Sequence, residues 1–421
     1  MSSWLPVHYK EHYSRSLRHR LVKVNRKAVW VCLAISIITA LHSLLRYTRP
    51  EYAHLTSVAN ITAHFQWTNG TTHNESATML SEYEIGSNGT RRANAVLLML
   101  ARNSELDDAI TSVKELEQRF NKRFNYPWVF LNEVPFTDEF KESMSSVVSG
   151  PISFGVIPPE HWYQPDWIDE EKAADSRAQM VADNVVYGGK CVMALALNYA
   201  LTIVSVFPKA VSPTATCADS TPVHPLVQRY KWYWRVEPNV HFHCDTDYDP
   251  FLFMEENDKL YGFTISLYEW PKTVATLWDA VKEFIDANPQ YVPANNSMNY
   301  LSNDGGATYN MCHFWSNFEI ANMDLWRGEA YSKFFEYLES KGGFYYERWG
   351  DAPVHSIGAG LFARKDQIHF FDDIGYQHDP FQHCPRDAGV RRDRNCTCNP
   401  FHSFDYWPSS CLTKWEQVLR S

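Results

Sequence analysis

Four short segments of this 421-residue chain concentrate side chains able to do chemistry. The first, KWYWRVEPNVHFHCDTDYDPF from Lys231 to Phe251, sets Glu237, Asp245, Asp247 and Asp249 behind an aromatic stretch. Carboxylates at a strand end can hold a hard divalent cation, which can bridge the oxygens of a diphosphate. The same short acids also cap turns and helices, and spacing alone does not choose between the two readings. The second segment places Glu319 among Trp315, Asn317, Phe318 and Ile320. A carboxylate in such apolar, amide-rich surroundings is either a fully hydrogen-bonded structural group or a positioned catalytic one. The third offers Glu347, Arg348, Asp351 and His355, and the fourth Asp372, Asp373 and His378. A single histidine is more often structural than a ligand. No Ser-His-Asp spacing, Walker loop or HExxH sequence supports a protease or a P-loop enzyme.

These groups need a frame. AVLLMLA, just after Ala93, is a continuous apolar run of the kind that forms a buried parallel strand. Residues 105–120 follow, with Leu106, Ile110, Val113, Leu116 and Phe120 on one helical face and acids in the first turn. YPWVFLN at 126–132 reads as the next strand. Strand, helix, strand opens a wound α/β sheet, which places ligands at the carboxyl ends of its strands. Further strands are expected at 232–237, 241–244 and 260–267, and helices near 273–286 and 328–341.

The composition, 45% hydrophobic and 15% aromatic, allows a full core and excludes a disordered or collagen-like chain. Residues 1–27 carry seven Lys and Arg against Glu11, a net of +6, and Arg46 and Arg49 follow. Removing this +8 from the formal −10 leaves −18 on residues 51–421, which disfavours nucleic acid as a partner. Ala28 to Leu45 contains no formal charge over eighteen residues, close to a bilayer span. The basic tail before it places the N-terminus in the cytosol and the rest of the chain across the membrane. Sequons at Asn60, Asn69, Asn74 and Asn88 describe a glycosylated lumenal stem, and two more stand at Asn295 and Asn395. Eight of nine cysteines follow the span, and in an oxidising lumen they read as disulfides rather than zinc ligands.

In this order, RANAVLLMLARNSEL, FNYPWVFLNEVPFTDEF, YWRVEPNVHFHCDTDYD, ERWGDAPVHSIGAGLF and DIGYQH resemble the fungal Kre2/Mnt1-type α-1,2-mannosyltransferases of glycosyltransferase family 15. The resemblance covers most of residues 91–384. It implies an α/β, GT-A-like (Rossmann-like) single catalytic domain over 93–421, behind a cytosolic tail at 1–27, an anchor at 28–45 and a stem at 46–92. It also implies a type II Golgi membrane protein that transfers mannose from GDP-mannose to mannose residues of N- or O-linked glycans on mannoproteins, retaining configuration and using Mn2+. By resemblance the metal positions fall on Glu237 and His378 and the proposed nucleophile on Glu319. Asp245 and Asp247 become neighbouring support or sugar-binding elements, and Arg348 and Asp351 sugar or phosphate contacts. Retention needs either two displacements or front-face attack, and a carboxylate beneath the sugar suits both.

One stretch departs from the family. Between Tyr187-Gly188-Gly189 and His224-Pro225-Leu226 the family reads approximately YGGSxSYRHMCRFNSGFFFRHPL, whereas this chain carries KCVMALALNYALTIVSVFPKAVSPTATCADSTPV. Codons for Tyr-Arg-His-Met-Cys-Arg-Phe-Asn-Ser-Gly, read one base late, can give Thr214 to Pro222, and Gly189-Lys190-Cys191 can be encoded across a GTAAGT splice donor. Residues 190–222 are therefore expected to be a gene-model artefact, a retained intron followed by an exon in the wrong frame. A chain so altered lacks the Tyr, Arg and Asn of the family's segment. The alternative function is then a catalytically inactive, membrane-anchored member that binds mannan or assembles with active transferases.

Overall fold

The computed structural model describes residues 91–158, 164–185 and 224–420. The expected tail, anchor and segment 190–222, and all of the expected stem but its last two residues, lie outside these ranges. Among the described residues no helix is long and apolar enough to cross a membrane.

The opening apolar run forms β1 (Ala95–Leu100), and it is apolar throughout because both of its faces are covered. Val96 and Leu98 join one core cluster, and Leu97 and Met99 join the other. Helix α1 (Leu106–Leu116) buries Ala109, Val113 and Leu116. It continues through a π turn at Glu117–Asn121 into Lys122–Phe124. The π turn brings Glu117 inward, where Oε1 accepts from Asn121 Nδ2 at 2.6 Å and Trp128 Nε1 at 2.8 Å, and Oε2 accepts from the Ser149 amide at 3.0 Å. This buried carboxylate is fully occupied in joining helix to sheet.

Then come β2 (Trp128–Asn132), α2 (Asp138–Val147), β3 (Ile152–Val156), α3 (Glu170–Ala182), β4 (Trp232–Val236), β5 (Val240–Phe242) and α4 (Pro250–Glu256). They are followed by β6 (Tyr261–Phe263), β7 (Ser266–Tyr268), α5 (Leu277–Ala287), β8 (Cys312–Phe314), β9 (Glu319–Asn322), α6 (Glu329–Lys341) and α7 (Asp351–Phe362). The last elements are β10 (Ile368–Phe370), β11 (Tyr376–His378), β12 (Phe381–His383) and α8 (Leu412–Arg420); shorter helical turns are left unlabelled.

Seven strands form one sheet in the order β10-β6-β9-β4-β1-β2-β3. Every neighbouring pair is parallel except those made by β9, which runs against both β4 and β6. The result is a mixed α/β sheet whose single reversed strand lies inside it. The expected strand at 260–267 is two strands: β6 stays in this sheet, and after Thr264 and Ile265 the chain leaves it so that β7 pairs with β8. The strand expected at 241–244 is β5, one residue earlier and shorter, in a separate small sheet β12-β11-β5.

Among the described residues six cysteines are paired, as Cys244–Cys396, Cys312–Cys411 and Cys384–Cys398. The second bridge ties β8 to the residue before α8 across a separation of 99 residues. Replacing both Cys312 and Cys411 by serine is expected to cost about 2–5 kcal/mol, because the unfolded chain regains the freedom of a long loop. Urea unfolding of the variant beside the parent measures it.

Candidate active site

The site is built where β4 meets β9. These strands pair with Arg235 directly opposite Glu319, so both side chains leave the sheet on the same face. Glu237, two residues beyond Arg235, keeps that side by the period of two. Because β9 runs backwards, its first residue, Glu319, stands at the edge where the parallel strand β4 ends. That edge is where a wound sheet receives its ligand.

Arg235 joins three carboxylates. Its Nη2 donates to Glu237 Oε1 at 2.6 Å, its Nη1 donates to Asp351 Oδ2, and Nη1 also lies 3.6 Å from Glu319 Oε1. Asp351 is the first residue of α7, where its Oδ1 accepts from the Ala352 amide and its charge suits the helix N-terminus. Glu319 is 1% exposed, and its Oε2 meets His355 Nδ1 at 2.9 Å. Burial, and after it the charge of Glu319, pushes the phenols of Tyr233 and Tyr261 well above their usual range. Arg235 thus balances a row of acids in a largely enclosed setting.

The β5–β11 pairing brings His378 to Glu237. His378 stands opposite Val240, and only Pro238 and Asn239 separate Val240 from Glu237. Asn239 makes the turn with φ 61°, a left-handed conformation that asparagine tolerates. Gly375 makes the other approach possible, since a Cβ there would lie 2.6 Å from Cys244 Sγ. The Glu237 Oε2 to His378 Nε2 distance is 3.4 Å. Burial alone would raise the Glu237 carboxyl, but Arg235 and His378 outweigh it and hold it at about 2. Burial alone would lower the His378 imidazole, and the hydrogen bond and charge of Glu237 raise it instead.

This pair suits a divalent cation. His378 Nδ1 lies 3.1 Å from the Asp379 carbonyl, which can only accept, so Nδ1 carries a proton and Nε2 is the atom offered beside Glu237. A cation bound there would take the place of the proton the two otherwise share. Among the described residues no group of three or more His, Cys, Asp or Glu side chains converges on one point.

The other expected site residues have different partners. Asp245 accepts from Arg119 Nη1 at 2.7 Å and Asn395 Nδ2 at 2.9 Å. Asp247 pairs with Arg394 at 3.1 Å, and Arg394 also reaches Asp373 at 2.9 Å. Asp249 caps α4 by accepting from the Phe251 and Leu252 amides, as short acids before a helix do. Arg348 makes no ion pair among the described residues; its amide donates to the Thr273 carbonyl, and its Nε is buried without a hydrogen bond. Glu347 is taken up by Thr276 and Trp349. The structure therefore gathers Glu237, His378, Asp351 and Glu319 and leaves Asp245, Asp247 and Arg348 in separate contacts. The organising residue, Arg235, has one signal in the sequence, its place two residues before Glu237 on the same side of a strand.

A mixed α/β sheet with paired donors and a buried acid at its carboxyl edge is the setting of a nucleotide-sugar enzyme. The family described as glycolipid 2-alpha-mannosyltransferase, glycosyltransferase family 15, matches residues 51–204 and 219–420, and the chain belongs to it. It is 48% identical over 331 residues to glycolipid 2-alpha-mannosyltransferase 2 of Candida albicans, covering 78% of this chain and 68% of that protein. It is 46% identical over 341 residues to the α-1,2 mannosyltransferase KTR1 of Saccharomyces cerevisiae, covering 80% and 82%. Its fold matches the crystal structure of core-mannan synthase A from Aspergillus fumigatus in its Mn/GDP form with TM-score 0.70 and 40% identity, over 80% of this chain and 88% of that one. The S. cerevisiae mannosyltransferase Ktr4p in complex with GDP matches with TM-score 0.71 and 38% identity, over 79% and 84%.

Two substitutions separate the central arginine from the peripheral acids. Arg235→Met leaves the buried Asp351 without its guanidinium partner and Glu319 with His355 alone beside it, and is expected to cost about 3–5 kcal/mol. Asp245→Ala removes a partly exposed pair and is expected to cost about 1 kcal/mol or less. Chemical denaturation of both variants measures the difference.

Proposed function

We propose that the chain is a retaining α-1,2-mannosyltransferase that moves mannose from GDP-mannose to mannose residues of N- or O-linked glycans on mannoproteins, with Mn2+ as cofactor. One observation carries the reading: within a family 15 chain, Arg235 links the Glu237–His378 pair to the buried Glu319. The similarity to a mannosyltransferase solved with Mn and GDP supports the choice of donor and ion. The catalytic part is a GT-A-like domain, and residues 28–45 anchor it as a single-pass type II protein with that domain in the Golgi lumen. The uncharged run, the basic tail and the sequons support this placement.

In this reading Glu237 and His378 hold the ion through one oxygen and one nitrogen, a donor set manganese accepts. When bound, the ion neutralises charge on the departing diphosphate. Glu319 supplies the carboxylate under the sugar, as a nucleophile or as the stabiliser of a front-face transition state. Arg235 keeps its charge balanced without donating a hydrogen bond to Oε1. Asp351 accepts from the same Nη1 that faces Glu319. Asp245 and Asp247 support the loop after β5 through Arg119 and Arg394, and Arg348 is a sugar or phosphate contact. The inactive-member alternative has its own observation, since the family match breaks at residues 205–218, inside the departing segment.

Release of GDP from GDP-mannose, dependent on an α-mannoside acceptor, separates the two readings; its absence from the purified full-length chain favours the inactive one. Glu319→Gln is expected to abolish transfer while leaving GDP affinity within about twofold, because its site touches sugar rather than nucleotide. Retained turnover removes Glu319 from catalysis. Glu237→Ala and His378→Ala are each expected to weaken Mn2+ activation by at least about tenfold. An unchanged Mn2+ titration refutes the ligand assignment.

A further inference from the structure

His355, which makes the closest polar contact to Glu319 at 2.9 Å, has no task in the proposed reaction. It follows Asp351 by four residues, so both leave α7 on the same face. Asp351 reaches Arg235 while His355 reaches Glu319, and the first turns of α7 therefore clamp both members of the β4–β9 pair. The imidazole is 1% exposed and lies nearly flat on Trp326, centroids 4.5 Å apart at 19°, with the edge of Tyr331 at 6.1 Å. Tyr331 in turn sits against Gly358, where a Cβ would come within 2.4 Å of its ring. The ring is held on two sides.

The two oxygens of Glu319 are unequal. A carboxylate can only accept, so at the 2.9 Å contact His355 Nδ1 carries the hydrogen and Oε2 receives it. Among the described residues Oε1 is buried without a close hydrogen bond, with Arg235 Nη1 at 3.6 Å, and the buried Tyr261 hydroxyl, also without a close partner, is a further polar neighbour of this carboxylate. Leaving a buried carboxylate oxygen unbonded is costly and asks for an explanation.

We propose that His355 is a positioning residue that fixes the Glu319 carboxylate by donating Nδ1–H to Oε2, so that Oε1 is the oxygen reserved for the sugar. This rests on the reading of Glu319 as the catalytic carboxylate. His355 itself touches neither sugar nor nucleotide. A core histidine kept only for packing predicts the same burial but no preference for which ring nitrogen is replaced.

The test uses the full-length chain and three substitutions. In His355→Asn the side-chain amide stands where Nδ1 stood, in His355→Gln it stands nearer Nε2, and in His355→Leu the donor is lost. The Leu and Gln variants are expected to lower kcat about 100-fold, the scale of a misplaced reacting group. KM for GDP-mannose and GDP affinity are expected to stay within about twofold, and Asn to recover about tenfold in kcat. If Leu fails to fold, the Asn and Gln pair decides. Equal kcat for Asn and Gln overturns the proposal, as does a Gln variant within threefold of the parent. Nitrogen NMR of the His355 ring gives a readout free of turnover: protonation at Nδ1 that is lost in Glu319→Ala is expected, and an Nε2-protonated tautomer overturns it. If Glu319→Gln is itself active, the reading of Glu319 has failed; if it is inactive while the His355 variants are normal, only the present inference has.

Discussion

One guanidinium organises this molecule's chemistry. Arg235 lies at the end of an interior strand, where three carboxylates would otherwise repel one another in a setting poor in water. Its planar fork satisfies two of them directly and faces the third at longer range, a geometry lysine cannot reproduce. Two jobs are thereby tied together. Glu237 is held well below the usual carboxylate range, and Glu319 has a guanidinium within 3.6 Å although enclosed. Removal of the arginine disturbs the surroundings of both carboxylates.

The second constraint is distance along the chain. Glu237 and His378 are joined by the antiparallel register of β5 with β11, not by any local motif. Around that register the chain is stapled by Cys244–Cys396, and Gly375 leaves room for the sulfur. The loop after β5 is held further by Asp245 with Arg119 and Asp247 with Arg394. The acids that look most like a metal motif are therefore spent on fastening the loop beside the donors.

Much of this frame is legible in the residues alone. The apolar run at β1, the amphipathic helix after it and a strand within 126–132 follow from the sequence pattern, and six of the eight cysteines expected to form disulfides do pair. The separation of β6 from β7 is not legible, because Tyr261 to Tyr268 is apolar enough to read as one strand while its halves join different sheets. The short strands β8 to β12 carry three or four residues each, too few for a period to show. Glu319 and His355 stand out chemically, yet nothing in their spacing of 36 announces a 2.9 Å contact, since that depends on α7 packing against β8 beside β9. The Glu237–His378 pairing came from family resemblance; residue spacing alone left the first cluster undecided between cation binding and capping.

The reversed direction of β9 has a consequence for how such a chain can change. Glu319 is reached from β8 through Trp315, Ser316, Asn317 and Phe318, and its facing is set by a period of two. Loss or gain of one residue in that connector, if absorbed as a one-step slip of β9, would turn the carboxylate to the opposite side of the sheet, among Trp234 and its apolar neighbours. The connector is therefore constrained in its count of residues as well as in its side chains, since Ser316, Asn317 and Phe318 are buried.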